Sequence, residues 1–132
     1  MLGRFYMNAV LPAADADRAR AFYADVLGLK LLSGPDDDPM MFEAGDGTGV
    51  VLTHVPGREP AGYPVVSFLV EDIEDLVREL QARGVVFESP GASSFQGRPG
   101  IAAEAVMDYG PVKSAWFKDC EGNMLALNQL NT

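Results

Sequence analysis

The sequence predicts an α+β fold of two βαβββ modules in tandem, forming a concave mixed sheet with helices on its outer face. Two observations carry the prediction. One pattern of elements occurs twice along the chain. Each copy holds a single amphipathic helix among several short strand-like runs. The length of 132 residues, 48% hydrophobic and 22% charged, suits one compact domain with a real core. Module one spans about 1–55, a Pro- and Gly-marked linker 56–63, and module two 64–132.

The first copy opens with the apolar run Arg4 to Leu11, followed by Asp15 and by Ala19, Phe22, Tyr23, Val26 and Leu27 at helical spacing. The second opens with Pro64 to Val70, followed by Asp72 and by Ile73, Leu76, Val77 and Leu80. Each Asp stands where a carboxylate can accept the free N–H groups of a first helical turn. Gly28 and Gly84 follow the two helices, where a left-handed C′ residue is needed. Short extended runs come next, Leu29 to Leu32 and Val85 to Glu88. Each copy closes with two strands: Met40–Glu43 and Gly49–His54 in the first, Val112–Lys118 and Asn123–Asn128 in the second. The second pair is joined by the tight turn Asp119-Cys120-Glu121-Gly122. One helix cannot cover both faces of a sheet. Two such units leave an open sheet face, a natural place for a ligand.

Ser89 to Gly110 is longer than a compact domain usually tolerates without a role. It reads equally as a flap over a pocket or as a Gly-rich surface loop with buried anchors. The formal charge of −9 argues against a nucleic-acid partner and against an anionic membrane surface. No apolar run approaches the roughly 20 residues that span a bilayer. The opening residues show no signal-peptide pattern, so a cytoplasmic protein is expected. Cys120 is the single cysteine, which excludes an internal disulfide and a Cys-x-x-Cys metal or redox pair.

Three stretches resemble the vicinal oxygen chelate superfamily, which includes glyoxalase I, bleomycin-resistance proteins, fosfomycin-resistance enzymes and extradiol dioxygenases. They are Leu11-Pro12-Ala13-Ala14-Asp15 with Arg18 to Tyr23 and Leu27-Gly28-Leu29; Phe68 to Ile73 with Leu80 to Val85; and Ala115 to Asn123. The last is close to the family's Phe-x-Asp-Pro-x-Gly-Asn hairpin, with Cys120 in place of the Pro. The resemblance covers nearly the whole chain and implies a homodimer. Catalytic members hold a divalent metal through His and Glu side chains, and those four positions fall on Asn8, Val65, Thr53 and Ala126. The repeat aligns them independently: Asn8 and Val65 each lie seven residues before their helix-preceding Asp, and Gly49, Leu52 and Thr53 match Gly122, Leu125 and Ala126. An amide, a hydroxyl and two hydrocarbon side chains are not a donor set for a transition metal. No metal and no cofactor are therefore expected.

The reading is a metal-free small-molecule-binding protein that sequesters an apolar or aromatic compound. Its candidate ligand-binding residues are Tyr6, Asn8, Phe42, Thr53, Phe95, Tyr109, Trp116, Met124 and Ala126, with Ser114 and Asn128 as further polar groups. Trp116 can line the cavity or pack under a helix with equal right. The alternative is an enzyme of the same superfamily, using unconventional metal ligands or acid–base residues among Glu43, Glu104, Asp108, Tyr109 and His54. No catalytic pair is identifiable from the sequence. His54, the only histidine, falls by alternation on the opposite face from Thr53. Asp36-Asp37-Asp38 reads as a solvated loop.

Overall fold

A computed structural model describes residues 1–34, 36–88 and 105–131. The chain packs as two compact units, Met1–Glu59 and Pro60–Thr132. Each unit is an α+β module with a four-stranded mixed sheet covered on one face by its helix. Among the described residues no helix is long and apolar enough to cross a membrane.

In module one, β1 (Asn8–Ala13) leads to helix α1 (Ala16–Ala21), which continues as a π-helical turn over Phe22–Val26. Then come β2 (Lys30–Leu31), β3 (Met40–Glu43) and β4 (Gly49–His54), giving the order β1-β4-β3-β2 with β1 and β4 parallel. Alternation along the strands divides their side chains cleanly. Leu11, Ala13, Met40, Phe42, Val50 and Leu52 are buried beneath the helical segment, whose Ala19 and Tyr23 have no exposure. The Tyr23 and Phe42 rings lie 5.8 Å apart. Asn8, Val10, Met41, Glu43, Val51 and Thr53 occupy the other, open face. Asp15 accepts the Arg18 backbone N–H at 3.1 Å, the cap its position predicted.

Gly49 is fixed by close approach of the backbone. A Cβ there would stand 2.5 Å from the Phe42 carbonyl oxygen and 2.8 Å from Asn8 Oδ1. The first clash is with main chain in the β3–β4 ladder, so no rotamer change relieves it. Gly49→Ala is expected to cost about 2–3 kcal/mol, read as a lower urea midpoint at unchanged m-value.

Module two repeats the plan with β5 (Pro64–Leu69), α2 (Ile73–Ala82), β6 (Met107–Asp108), β7 (Val112–Lys118) and β8 (Met124–Leu130), in the order β5-β8-β7-β6. Ile73, Val77 and Leu80 form the buried stripe of α2, over Ala115, Phe117, Leu125 and Leu127 of the sheet. The Phe87 and Phe117 rings meet edge-on at 5.3 Å. After α2, Gly84 (φ 95°) donates to the Gln81 carbonyl and Val85 to that of Leu80, both at 3.0 Å. This is the Schellman closure that the Gly predicted.

Three expectations for module two need correction. Asp72 does not cap α2: it takes a left-handed conformation (φ 52°) and its carboxylate receives no N–H of the helix. The first turn is served from β8, where Gln129 Oε1 accepts the Ile73 N–H at 2.8 Å. A tertiary acceptor has displaced the local one, a substitution invisible to capping rules. The run Val85–Glu88 does not form a strand: it is tied to β7 by a single bridge, Phe87 to Phe117, and by Glu88 N–H to the Trp116 carbonyl at 2.7 Å. The edge strand is β6 instead, from inside the segment read as loop or flap. Residues 89–104 of that segment lie outside the described residues, whereas Ala105 and Val106 are buried and Met107–Asp108 pair with β7.

One ion pair ties α2 to this sheet. Lys113 Nζ lies 2.8 Å from Glu74 Oε2. The hydrogen bond to Lys113 holds the Glu74 carboxyl below its usual 4.5, and the same bond raises Lys113 above its usual 10.5. The Glu74 contribution is therefore present above pH 4.5 and lost as pH falls through its lowered pKa. The Lys113 contribution is present below pH 10.5 and lost above it. Both groups are part-exposed, so solvent screens the pair and its effect is small. Glu74→Gln is expected to lower Tm slightly at pH 7, by a difference that shrinks steadily as pH falls below 4.5. A difference that does not change with pH would place the effect in packing rather than charge.

Candidate functional site

The open face of module two carries a cleft of about 860 Å³, within the size range of small-molecule sites. Alternation assembles it from three strands. β7 supplies Val112, Ser114 and Trp116; β8 supplies Ala126, Asn128 and Leu130; β5 supplies Pro64 and Ser67, with Tyr63 just before it and Tyr109 just after β6. The register sets Trp116 opposite Ala126, and Ala126 opposite Ser67. Ala126 thus forms the floor, 3% exposed, between the indole on one side and the serine on the other.

None of the described lining residues carries a charge. The polar groups are largely committed to one another. The Trp116 indole N–H donates to Ser114 Oγ at 3.0 Å, and an Asn128 amide N–H donates to Ser67 Oγ. Pairing the indole with the serine removes its one donor from service and leaves the ring as a hydrocarbon surface. The site therefore offers aromatic area from Tyr63, Tyr109 and Trp116, with a small polar end at Ser67 and Asn128. Its described residues form no acid, base or nucleophile arrangement.

The sequence-derived candidates divide among several places. Tyr109, Trp116 and Ala126 line the cleft, as do Ser114 and Asn128. Trp116 lies on the open face, which resolves the choice that alternation alone left open. Asn8 and Thr53 stand on the open face of the module-one sheet, where Asn8 closes over Gly49. Phe42 is a correction: it is 1% exposed and packs against Tyr23 beneath the helical segment, because β3 places it with Met40 rather than with Met41 and Glu43. Met124 is another: it is buried and not part of the lining. Tyr6 precedes β1 and is exposed, its ring against Gly47, so strand alternation does not govern it. Phe95 lies outside the described residues.

Tyr63, Pro64, Ser67, Val112 and Leu130 were missed. Extending the alternation from Trp116 back to Val112, and from Ala126 on to Leu130, would have found two of them. Ser67 needed the register of β5 on β8. That register is shifted by a bulge between Pro64 and Val66, which leaves Val65 unpaired. The cleft accordingly uses Pro64 there and not Val65.

The acid–base candidates are not brought together. Glu43 is on the open face of the module-one sheet, and His54 follows Leu52 on the opposite side. Asp108 lies opposite Lys113 on the helix side of module two, away from Tyr109 in the cleft, and Glu104 lies outside the described residues. Among the described residues no three His, Cys, Asp or Glu side chains form a group that could hold a metal ion. The four positions aligned with the superfamily's metal ligands, Asn8, Thr53, Val65 and Ala126, do not fit such an ion. Two are hydrocarbon, and the described lining around Ala126 holds no carboxylate or imidazole.

A family model for the Glyoxalase/Bleomycin resistance protein/Dioxygenase superfamily matches residues 7–127. Among solved structures the chain is similar to TnmS3, an antibiotic binding protein from Streptomyces sp. CB03234, at 24% identity and a TM-score of 0.68, covering 99% of each chain. It is also similar to a lactoylglutathione lyase from Agrobacterium tumefaciens, at 19% identity and a TM-score of 0.67, covering 93% of this chain and 91% of that one. The oxidase ChaP-H2 shares 18% identity and a TM-score of 0.69, over 98% and 95% of the two chains. A binder, a lyase and an oxidase at comparable similarity fix the fold and leave the chemistry to the site. The comparison with curated protein sequences gives no match. The family match runs through both modules, and this chain belongs to the Glyoxalase/Bleomycin resistance protein/Dioxygenase superfamily.

Proposed function

We propose that this protein binds a small, flat aromatic compound in the module-two cleft and releases it unchanged. One observation carries the reading. The cleft is lined by three aromatic rings and by aliphatic side chains, and its polar groups are mostly engaged with each other. Such a surface gains by excluding water from an apolar ligand and by stacking, and among the described residues it holds no charged group to activate water or stabilise developing charge. The similarity to an antibiotic binding protein supports a sequestering role, with resistance to an aromatic antibiotic as its biological form. In this reading the protein works in the cytoplasm as a homodimer, without nucleic acid, membrane or metal.

The test separates a sponge from a catalyst. Protein at low concentration is incubated with a large excess of an aromatic compound that it binds, and the compound is recovered and analysed by mass spectrometry. A sponge returns the compound unaltered after taking up one equivalent per cleft. Product accumulating beyond one equivalent would establish an enzyme. Zinc, manganese and nickel are expected to leave Tm unmoved. A large rise with any of them would return a metal to the site, since a ligand that binds only the native state raises Tm.

A further inference from the structure

We infer, on the reading that this cleft holds the ligand, that it selects uncharged compounds and rejects anions and cations alike. A charged ligand entering the cleft sheds water and meets no opposite charge from the described lining, none of whose side chains is ionic. Desolvation of an unpaired ion is costly even after relaxation and residual water have reduced the penalty. The net charge of −9 repels an anion at long range and attracts a cation. Neither effect supplies a partner inside the cleft, and both fade with salt. What the cleft does supply is one neutral polar end. Ser67 accepts the Asn128 amide hydrogen, which leaves the serine hydroxyl hydrogen and the Asn128 carbonyl to meet a hydroxyl or carbonyl group on the ligand.

Three probes with one ring system and different charge test this directly: anthracenemethanol, anthracenecarboxylate and anthracenemethylammonium, all substituted at the same ring carbon. Trp116 is the only tryptophan, so its emission reports the cleft. The titrations are run at physiological and at high salt. The alcohol is expected to bind roughly tenfold tighter than either ion, or better, at both salt levels, an order-of-magnitude expectation from the unpaired-ion penalty. In Leu130→Lys, which adds a cation at the exposed rim, the carboxylate is expected to gain several-fold on the alcohol. Equal binding of all three probes, or preference for an ion that survives high salt, would overturn the charge selection while leaving the binding function standing. Binding of none would remove the function itself, and the selection with it.

Discussion

Replacing Asp119 by alanine is expected to destabilise the protein by about 3 kcal/mol, the loss of several hydrogen bonds to one buried carboxylate. Asp119 is 6% exposed at the turn between β7 and β8. Its Oδ1 accepts the backbone N–H groups of Glu121 at 2.9 Å and Asn123 at 2.8 Å, and its Oδ2 accepts the Asn123 side-chain amide at 2.9 Å. Alanine withdraws the acceptor from all three donors at once, one of them on the side chain of Asn123, itself only 5% exposed. Asp119→Asn keeps the shape and one acceptor oxygen and should recover part of the loss. Urea unfolding at constant m-value measures both. A loss below about 1 kcal/mol, the net worth of a single ordinary hydrogen bond, would mean that the turn is held by its backbone alone. The consequence reaches the cleft, because β7 and β8 carry six of its lining residues.

Ala126→Glu is expected to weaken binding of an aromatic ligand about 100-fold, or roughly 2.7 kcal/mol. The position is the cleft floor, 3% exposed between Ser67 and Trp116 across the sheet, and no described lining residue is cationic. A carboxylate there would occupy the space a ring needs and would have to lose water when a ring entered. Ala126→Val adds bulk without charge and should cost less. Circular dichroism and Tm on both variants separate loss of the site from loss of the fold. Unaltered affinity in a folded Ala126→Glu protein would place the ligand elsewhere.

The architecture was legible because each module writes its own alternation. The period-two pattern of β7 and β8, and the 3.6-residue stripe of Ile73, Val77 and Leu80, appear in the structure as the sequence ordered them. Gly84 closed its helix for the reason glycine is used there. What the sequence hid were contacts between residues far apart along it. The Gln129 acceptor for Ile73 lies 56 residues away, and the bulge that sets Ser67 opposite Ala126 belongs to strand pairing rather than to local pattern. Phe42 was misplaced because an aromatic in a short strand has no preferred face until its register is known. Trp116, Tyr109 and Ala126 line one cleft in the structure, and Ala126 became a candidate only through an alignment that marked where a metal ligand would have stood. A deleted donor is legible in a single sequence only when a repeat or a family supplies the frame.

The proposed function requires an aromatic compound to meet Trp116 over the Ala126 floor. The most direct measurement is a titration of anthracenemethanol into the wild-type chain and into Ala126→Glu, followed by Trp116 emission with calorimetry alongside. Saturable quenching is expected in the wild type at one ligand per chain, with its near loss in a folded Ala126→Glu protein. Heat of binding in the wild type with Trp116 emission unchanged, or quenching of equal affinity in the two proteins, would contradict it.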